Sequence, residues 1–133
     1  MKILILKLII QSLKKNTVIE ELKLAKNSLK TLESIKLLTT YLLKCNNLKS
    51  IDLSKNKLGN NINITKNICC GITGSQSLLN VDLSSNEFGM FNEENNLQEN
   101  KKNIMNYISE IFIFNNLIKS IDLSNNNFQH PSE

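Results

Sequence analysis

Large apolar residues return along the chain at one fixed spacing. In the stretch from Leu48 to Gly59 they occupy Leu48, Ile51, Leu53 and Leu58, with Asn56 between the last two. Counted from the first apolar residue, these are positions one, four, six and eleven, with Asn at nine. The same spacing is filled by Leu78, Val81, Leu83, Asn86 and Phe88, by Ile118, Ile121, Leu123, Asn126 and Phe128, and by Ile19, Leu22, Leu24, Asn27 and Leu29. Around positions four to six apolar and polar residues alternate, as in Glu21-Leu22-Lys23-Leu24-Ala25. That alternation predicts a short strand with one face on a core and the other in water. Four such strands are expected, near 21–25, 50–54, 80–84 and 120–124.

Between the strands the period changes. Leu6, Ile9, Ile10 and Leu13 recur at helical spacing and predict a helix over residues 3–15, ended by Asn16-Thr17. Leu32, Ile35, Leu38, Leu42 and Leu43 predict a second over 31–45, with Lys44 favourably placed at its C-terminal end. Ile104, Ile108, Ile111 and Phe112 predict a helix ahead of the last strand. Two segments depart from the pattern. Residues 60–77 hold a β-branched stretch, Ile62 to Ile72, between Asn60-Asn61 and Gly71, Gly74 and Ser75, which predicts a short or irregular crossover. The interval from Asn86 to Asn126 is 40 residues, against 29 and 30 for the two before it. The extra residues fall in the acidic, Asn-rich segment Phe91 to Glu99, read as a solvated loop insertion near 91–100.

A strand this brief is not stable alone. It becomes so when the next unit lays its strand alongside, and parallel pairing forces a crossover as the return path. The chain is therefore expected to be α/β and to form one domain over residues 1–133, built as a stack of about four units.

The residues at positions one, four, six, nine and eleven resemble the leucine-rich repeat family, whose signature is L-x-x-L-x-L-x-x-N/C-x-L. The helix-then-strand order, the period near 29 and the Asn-x-Leu-Gly ending of the second unit are similar to its longer, ribonuclease-inhibitor-like class. The resemblance covers roughly residues 5–128 and implies an arc-shaped solenoid, with parallel strands on the concave face and helices on the convex face. It also implies a structural ladder of Asn27, Asn56, Asn86 and Asn126, whose side-chain amides bond backbone groups of adjoining turns. The inner face would then present Lys23, Asp52, Asp82 and Asp122 at position five. Ser54, Ser84 and Ser124 stand at position seven beside Ala25, and Ser50, Asn80 and Ser120 stand at position three. Such a row of carboxylates is suited to a protein partner offering basic groups, with the serines as adaptable hydrogen-bonding neighbours. The same residue types are also an ordinary filling of these positions in the family.

Composition narrows the alternatives. The chain carries 16 basic residues, all Lys, for a net charge of +4, and 5% aromatics without Trp. Scattered Lys without Arg lacks the planar fork that grips phosphate or reads guanine, so no nucleic-acid partner is expected. Without Arg the chain also has no arginine finger. A small-GTPase regulator of the Ran GTPase-activating type would have to act by positioning groups already on the GTPase. A structural spacer within a larger repeat protein is the other alternative to a protein-interaction module. No catalytic constellation, cofactor or metal site is expected, because the one His lies in the polar tail and no nucleophile–base pair or phosphate loop appears. The three Cys, two of them adjacent, suit a reducing, intracellular (cytoplasmic) compartment better than a disulfide framework. The Met1–Ile10 run is broken by Lys7 and too short for a bilayer, so it reads as the first helix and not a targeting or membrane segment. The array opens on an apolar helix and stops shortly after Phe128 without a polar cap. The chain is therefore expected either to be a piece of a longer array or to self-associate through the open edge at Ser120–Ser124.

Overall fold

The computed structural model describes residues 1–89 and 97–128, with side chains described from residue 103 onward in the second span. Four helix–strand units follow one another. They are α1 (Ile3–Leu13) with β1 (Glu21–Lys23), α2 (Leu32–Lys44) with β2 (Ser50–Asp52), α3 (Ile62–Thr73) with β3 (Asn80–Asp82), and α4 (Leu97–Phe114) with β4 (Ser120–Asp122). A 3-10 turn, Leu58–Asn60, lies between β2 and α3. The strands form one parallel sheet in the order β1-β2-β3-β4. Register is constant: Leu22 pairs with Ile51, Ile51 with Val81, and Val81 with Ile121.

Each strand is only three residues long, shorter than the five expected, but the bonding between units continues beyond it. Leu24 donates its N–H to the Asp52 carbonyl at 2.8 Å, and Lys26 donates to that of Ser54 at 3.0 Å. Equivalent bonds run from Leu53 and Lys55 to Asp82 and Ser84, and from Leu83 and Ser85 to Asp122 and Ser124.

The helices all lie on one side of the sheet. Leu24, Ile51, Leu53, Val81 and Leu83 point from the strands into a single core with Ile35, Leu38, Ile68 and Ile72 from the helices. Fully burying one such side chain contributes about 1.5–3 kcal/mol. No unit could bury its own set alone. The sequence of α2 states its limits: Thr31 caps it by accepting the Ser34 N–H, Glu33 lies in its first turn and Lys44 in its last.

Several expectations require correction. Residues 62–73 form a regular helix, not an irregular crossover. Ile64, Thr65, Ile68, Cys69 and Ile72 share one buried face, and Asn61 caps the start by accepting the Asn63 N–H. Tertiary burial along that stripe outweighs the weak β-branched preference. The expected loop near 91–100 ends early, because Leu97 to Asn100 are already helical; Gln, Glu and Lys there are sound helix formers. Residues 91–96 lie outside the described residues. Leu43 and Phe112, assigned to apolar faces, are exposed.

Every unit bends out of its strand in the same way. The residues flanking the position-nine Asn, namely Lys26 and Ser28, Lys55 and Lys57, Ser85 and Glu87, and Asn125 and Asn127, all have φ between 51° and 63°. Left-handed backbone costs a non-glycine residue about 1 kcal/mol or more and persists only when its surroundings over-determine it. Close stacking follows. A methyl group on Gly59 would lie 2.5 Å from backbone atoms of Glu87 and Phe88 in the next unit. Glycine is therefore required there by proximity and not by its own φ.

Candidate functional site

The sheet face turned away from the helices carries the position-five residues side by side. Lys23 pairs in register with Asp52, Asp52 with Asp82, and Asp82 with Asp122. Glu21, Ser50, Asn80 and Ser120 form a second row one pleat away, in the same register. Asp52 and Asp82 are half-buried and Asp122 is exposed. Among the described residues the ion pairs are Lys7 with Glu33 at 3.6 Å and Lys23 with Glu21 at 3.4 Å. None of the three aspartates forms an ion pair there, although Lys23 stands beside Asp52 on the neighbouring strand.

These carboxylates are not wholly free. The Asp52 Oδ1 accepts the Ser54 N–H at 2.9 Å, Asp82 accepts from Ser84 at 2.9 Å, and Asp122 from Ser124 at 2.8 Å. One oxygen of each thus closes its own turn, while the second carboxylate oxygen has no partner among the described residues. The bonds from Ser124 hold the Asp122 carboxyl below the usual carboxylate range. Ser84 is half-buried and Ser124 exposed, but Ser54 is buried and offers little to an incoming partner.

Behind the face runs the ladder. The Asn56 side chain accepts the N–H groups of Asn27 and Leu29 and donates to the carbonyls of Leu24, Leu53 and Ser54. Asn86 repeats this with Asn56, Leu58, Leu53, Leu83 and Ser84. Asn126 repeats it again toward Asn86, Phe88 and Leu83. Each rung reaches back to the preceding unit. Asn27 departs from the expected pattern: β1 is the first of the described strands, and the Asn27 amide bonds only the Ala25 carbonyl of its own turn among the described residues.

A second set of polar residues goes beyond the sequence reading, which gives only Asn16, with Thr17, as a helix end. It stands three residues before the first apolar position: Asn16, Cys45, Ser75 and Asn115. Asn16 accepts the N–H groups of Val18 and Ile19, Ser75 those of Ser77 and Leu78, and Asn115 those of Leu117 and Ile118. Asn115 also donates to the Ile72, Thr73 and Ser75 carbonyls of the unit before it. Asn16, Ser75 and Asn115 thus hold the turn from helix into strand, whereas the Cys45 thiol makes no such bond. Aligning the units a few residues further upstream would have exposed them.

Reactive chemistry is sparse. Among the described residues no group of three or more His, Cys, Asp or Glu side chains could hold a metal ion. No described helix is long and apolar enough to cross a membrane. A shallow cleft of about 390 Å³ between the C-terminal ends of α1 and α2 is edged by Lys14, Tyr41, Lys44 and Asn47. Burial and the Cys45 thiol, 3.3 Å from its hydroxyl, push the Tyr41 pKa up, so it stays protonated. Burial, with the nearby Glu110 and Cys70, also pushes the Cys69 thiol up to about 12. Cys45 and Cys69 are buried, whereas Cys70 is exposed. With Cys45 and Cys69 buried and the Cys69 thiol held protonated, an alkylating reagent near pH 8 is expected to label the native chain once, at Cys70. Intact-mass analysis showing two or three adducts before unfolding would contradict this.

No family model matches the chain, and no curated protein matches it either.

Proposed function

We propose that this chain is a leucine-rich repeat solenoid whose inner face docks a protein partner, with Asp52, Asp82 and Asp122 receiving Lys or Arg side chains. The observation that carries this reading is the constant register that sets three carboxylates on adjacent strands, none of them in an ion pair among the described residues and only Asp52 with a lysine, Lys23, on the next strand. Parallel strands lie about 4.8 Å apart. In bulk water two unit charges at such spacing repel by only about 1 kcal/mol, so the row is tolerated while solvated. Covered by an apolar or acidic surface it would be strongly unfavourable. A basic partner reverses that sign, which makes the row selective for one class of surface. The position-nine Asn, the αL turns and the constant register fit the repeat reading, and they hold the aspartates on a rigid scaffold.

The test removes charge without opening the turns. Asn keeps the oxygen that accepts the Ser N–H, so Asp52→Asn with Asp82→Asn leaves the local bonding intact. Immobilised peptides presenting two or three Lys or Arg at strand-spaced intervals serve as probes. Those that bind the unaltered chain are expected to bind the double variant about tenfold more weakly, the scale of one or two partly exposed charge pairs. Equal binding would remove this face from consideration and leave a spacer role in its place.

A further inference from the structure

The two ends of the molecule expose complementary halves of the interface that joins its interior units. Among the described residues, every exposed large apolar side chain except Leu43 belongs to the first or last unit. Position within the units explains which ones. Leu42 and Ile72 stand three residues before the helix-exit residues Cys45 and Ser75, and they are 1% and 0% exposed because the next unit covers them. Phe112 stands at the same offset from Asn115 and is 60% exposed. Met105 likewise matches the buried Ile35 and Thr65, and Phe128 the buried Leu58 and Phe88. On the opposite side, Ile5 matches Ser34, Ile64 and Ile104, each 3% exposed, but is itself 49% exposed, with no described unit packed on that side. Leu8 lies one helical turn further along the same side and is also exposed.

Polar groups match in the same register. Within the molecule, Leu83 and Ser85 donate to the carbonyls at positions five and seven of the next unit, and Asn86 and Phe88 donate to the next Asn side chain. At the C-terminal edge the corresponding donors are the N–H groups of Leu123, Asn125, Asn126 and Phe128, with no partner among the described residues. At the N-terminal edge the corresponding acceptors are the carbonyls of Lys23 and Ala25 and the Oδ1 of Asn27. That Oδ1 also lacks a described partner, while the Met1 amino group meets the Asn27 backbone carbonyl. Charge agrees. Interior neighbours at position five include Asp52 beside Asp82 and Asp82 beside Asp122, but a unit placed after Asp122 with the sequence of the first would set Lys23 there.

We propose that a second copy of this chain docks head to tail, its α1–β1 edge continuing the sheet beyond β4 and its Ile5 and Leu8 covering Phe112 and Met105. The two patches differ, so the contact is heterologous and each added copy exposes a fresh C-terminal edge. Assembly is open-ended. This does not depend on the aspartate row binding a partner; the two surfaces share only Asp122, at the end of that row.

Sedimentation velocity from micromolar to millimolar concentration tests it. The unaltered chain is expected to grow past dimer as concentration rises. Phe112→Lys and Ile5→Lys change exposed side chains at opposite ends, so circular dichroism should show both folded, and each alone should remain monomeric. Losing a central apolar anchor weakens such contacts by at least about thirtyfold. Mixed in equal amounts, the two variants retain one good edge each and should form a dimer that grows no further. Asp122→Lys, which sets Lys against Lys23 of the second copy, should weaken assembly about fivefold. A chain that stays monomeric throughout would overturn the proposal. So would Phe112→Lys assembling like the unaltered chain, or a terminal dimer of the unaltered chain that mixing cannot reconstitute, since that indicates like edges pairing.

Discussion

Replacing Asn86 with Ala is expected to lower the free energy of unfolding by about 3–5 kcal/mol, whereas Asn27→Ala should cost about 1 kcal/mol or less. The two residues occupy the same place in their units. Asn86 is fully buried, and its side chain serves two N–H groups and three carbonyls drawn from two units. Removing it strands all five. A buried polar group left unpaired costs about 1–3 kcal/mol, and partial relaxation or an entering water returns some of the total. Those bonds also hold Ser85 and Glu87 in left-handed backbone, so their loss lets the turn itself relax away from the native path. Asn27 is half-buried and makes one side-chain bond, to Ala25 in its own turn. Asn86→Asp supplies a control: it keeps the acceptor but cannot donate to three carbonyls, and it is expected to destabilise as strongly as Ala. Urea unfolding of the three variants measures the differences. Equal losses at Asn27 and Asn86 would mean that the ladder carries no stability between units.

Phe88→Ala is expected to cost about 3–5 kcal/mol, the usual range for emptying a fully buried aromatic site, and Phe128→Ala about 1 kcal/mol. Phe88 is closed in on every side, with Gly59 and its carbonyl-bonded turn packed against it from the unit before. Phe128 is 40% exposed, since nothing described follows it. The pair therefore separates what the motif contributes from what its neighbours contribute. The Phe128 value should also rise with protein concentration if copies stack, because docking buries that ring and stabilises the folded state by mass action. The same urea experiment, repeated at two protein concentrations, reads both effects.

Much of the framework was legible before any coordinates. The spacing of Leu48, Ile51, Leu53, Asn56 and Leu58 placed four strands and their register, because period-two alternation admits only one set of inward residues and a one-residue slip would expose it. The limits of α2 could be read from Thr31, Glu33 and Lys44. Less was legible where two local signals disagreed. Between Ile62 and Ile72 the β-branched residues argue against a helix and the spacing of Ile64, Ile68 and Ile72 argues for one. Burial against α2 and α4 decided in favour of spacing. Of the helix-exit residues, Asn16 was placed at the end of α1, but Ser75 and Asn115 were missed because Asn and Ser are common throughout the chain, and only their bonds to the following N–H groups distinguish them.

The candidate site divides in the same way. That Asp52, Asp82 and Asp122 share a row followed from position alone. That each gives one oxygen to its own turn, and that Ser54 is buried while Ser124 is open, depended on how tightly successive units close over one another.

The chain by itself determined the unit: which residues face inward, where the chain must turn, and that neighbouring units must shelter each other. Those are properties of spacing and of side-chain chemistry, and they are the same in all four copies. Only the tertiary structure decided what each copy of a position is worth. Burial and hydrogen bonding arise between units, so Asn27 differs from Asn86, Phe128 from Phe88 and Phe112 from Ile72 according to whether a described unit packs on the open side.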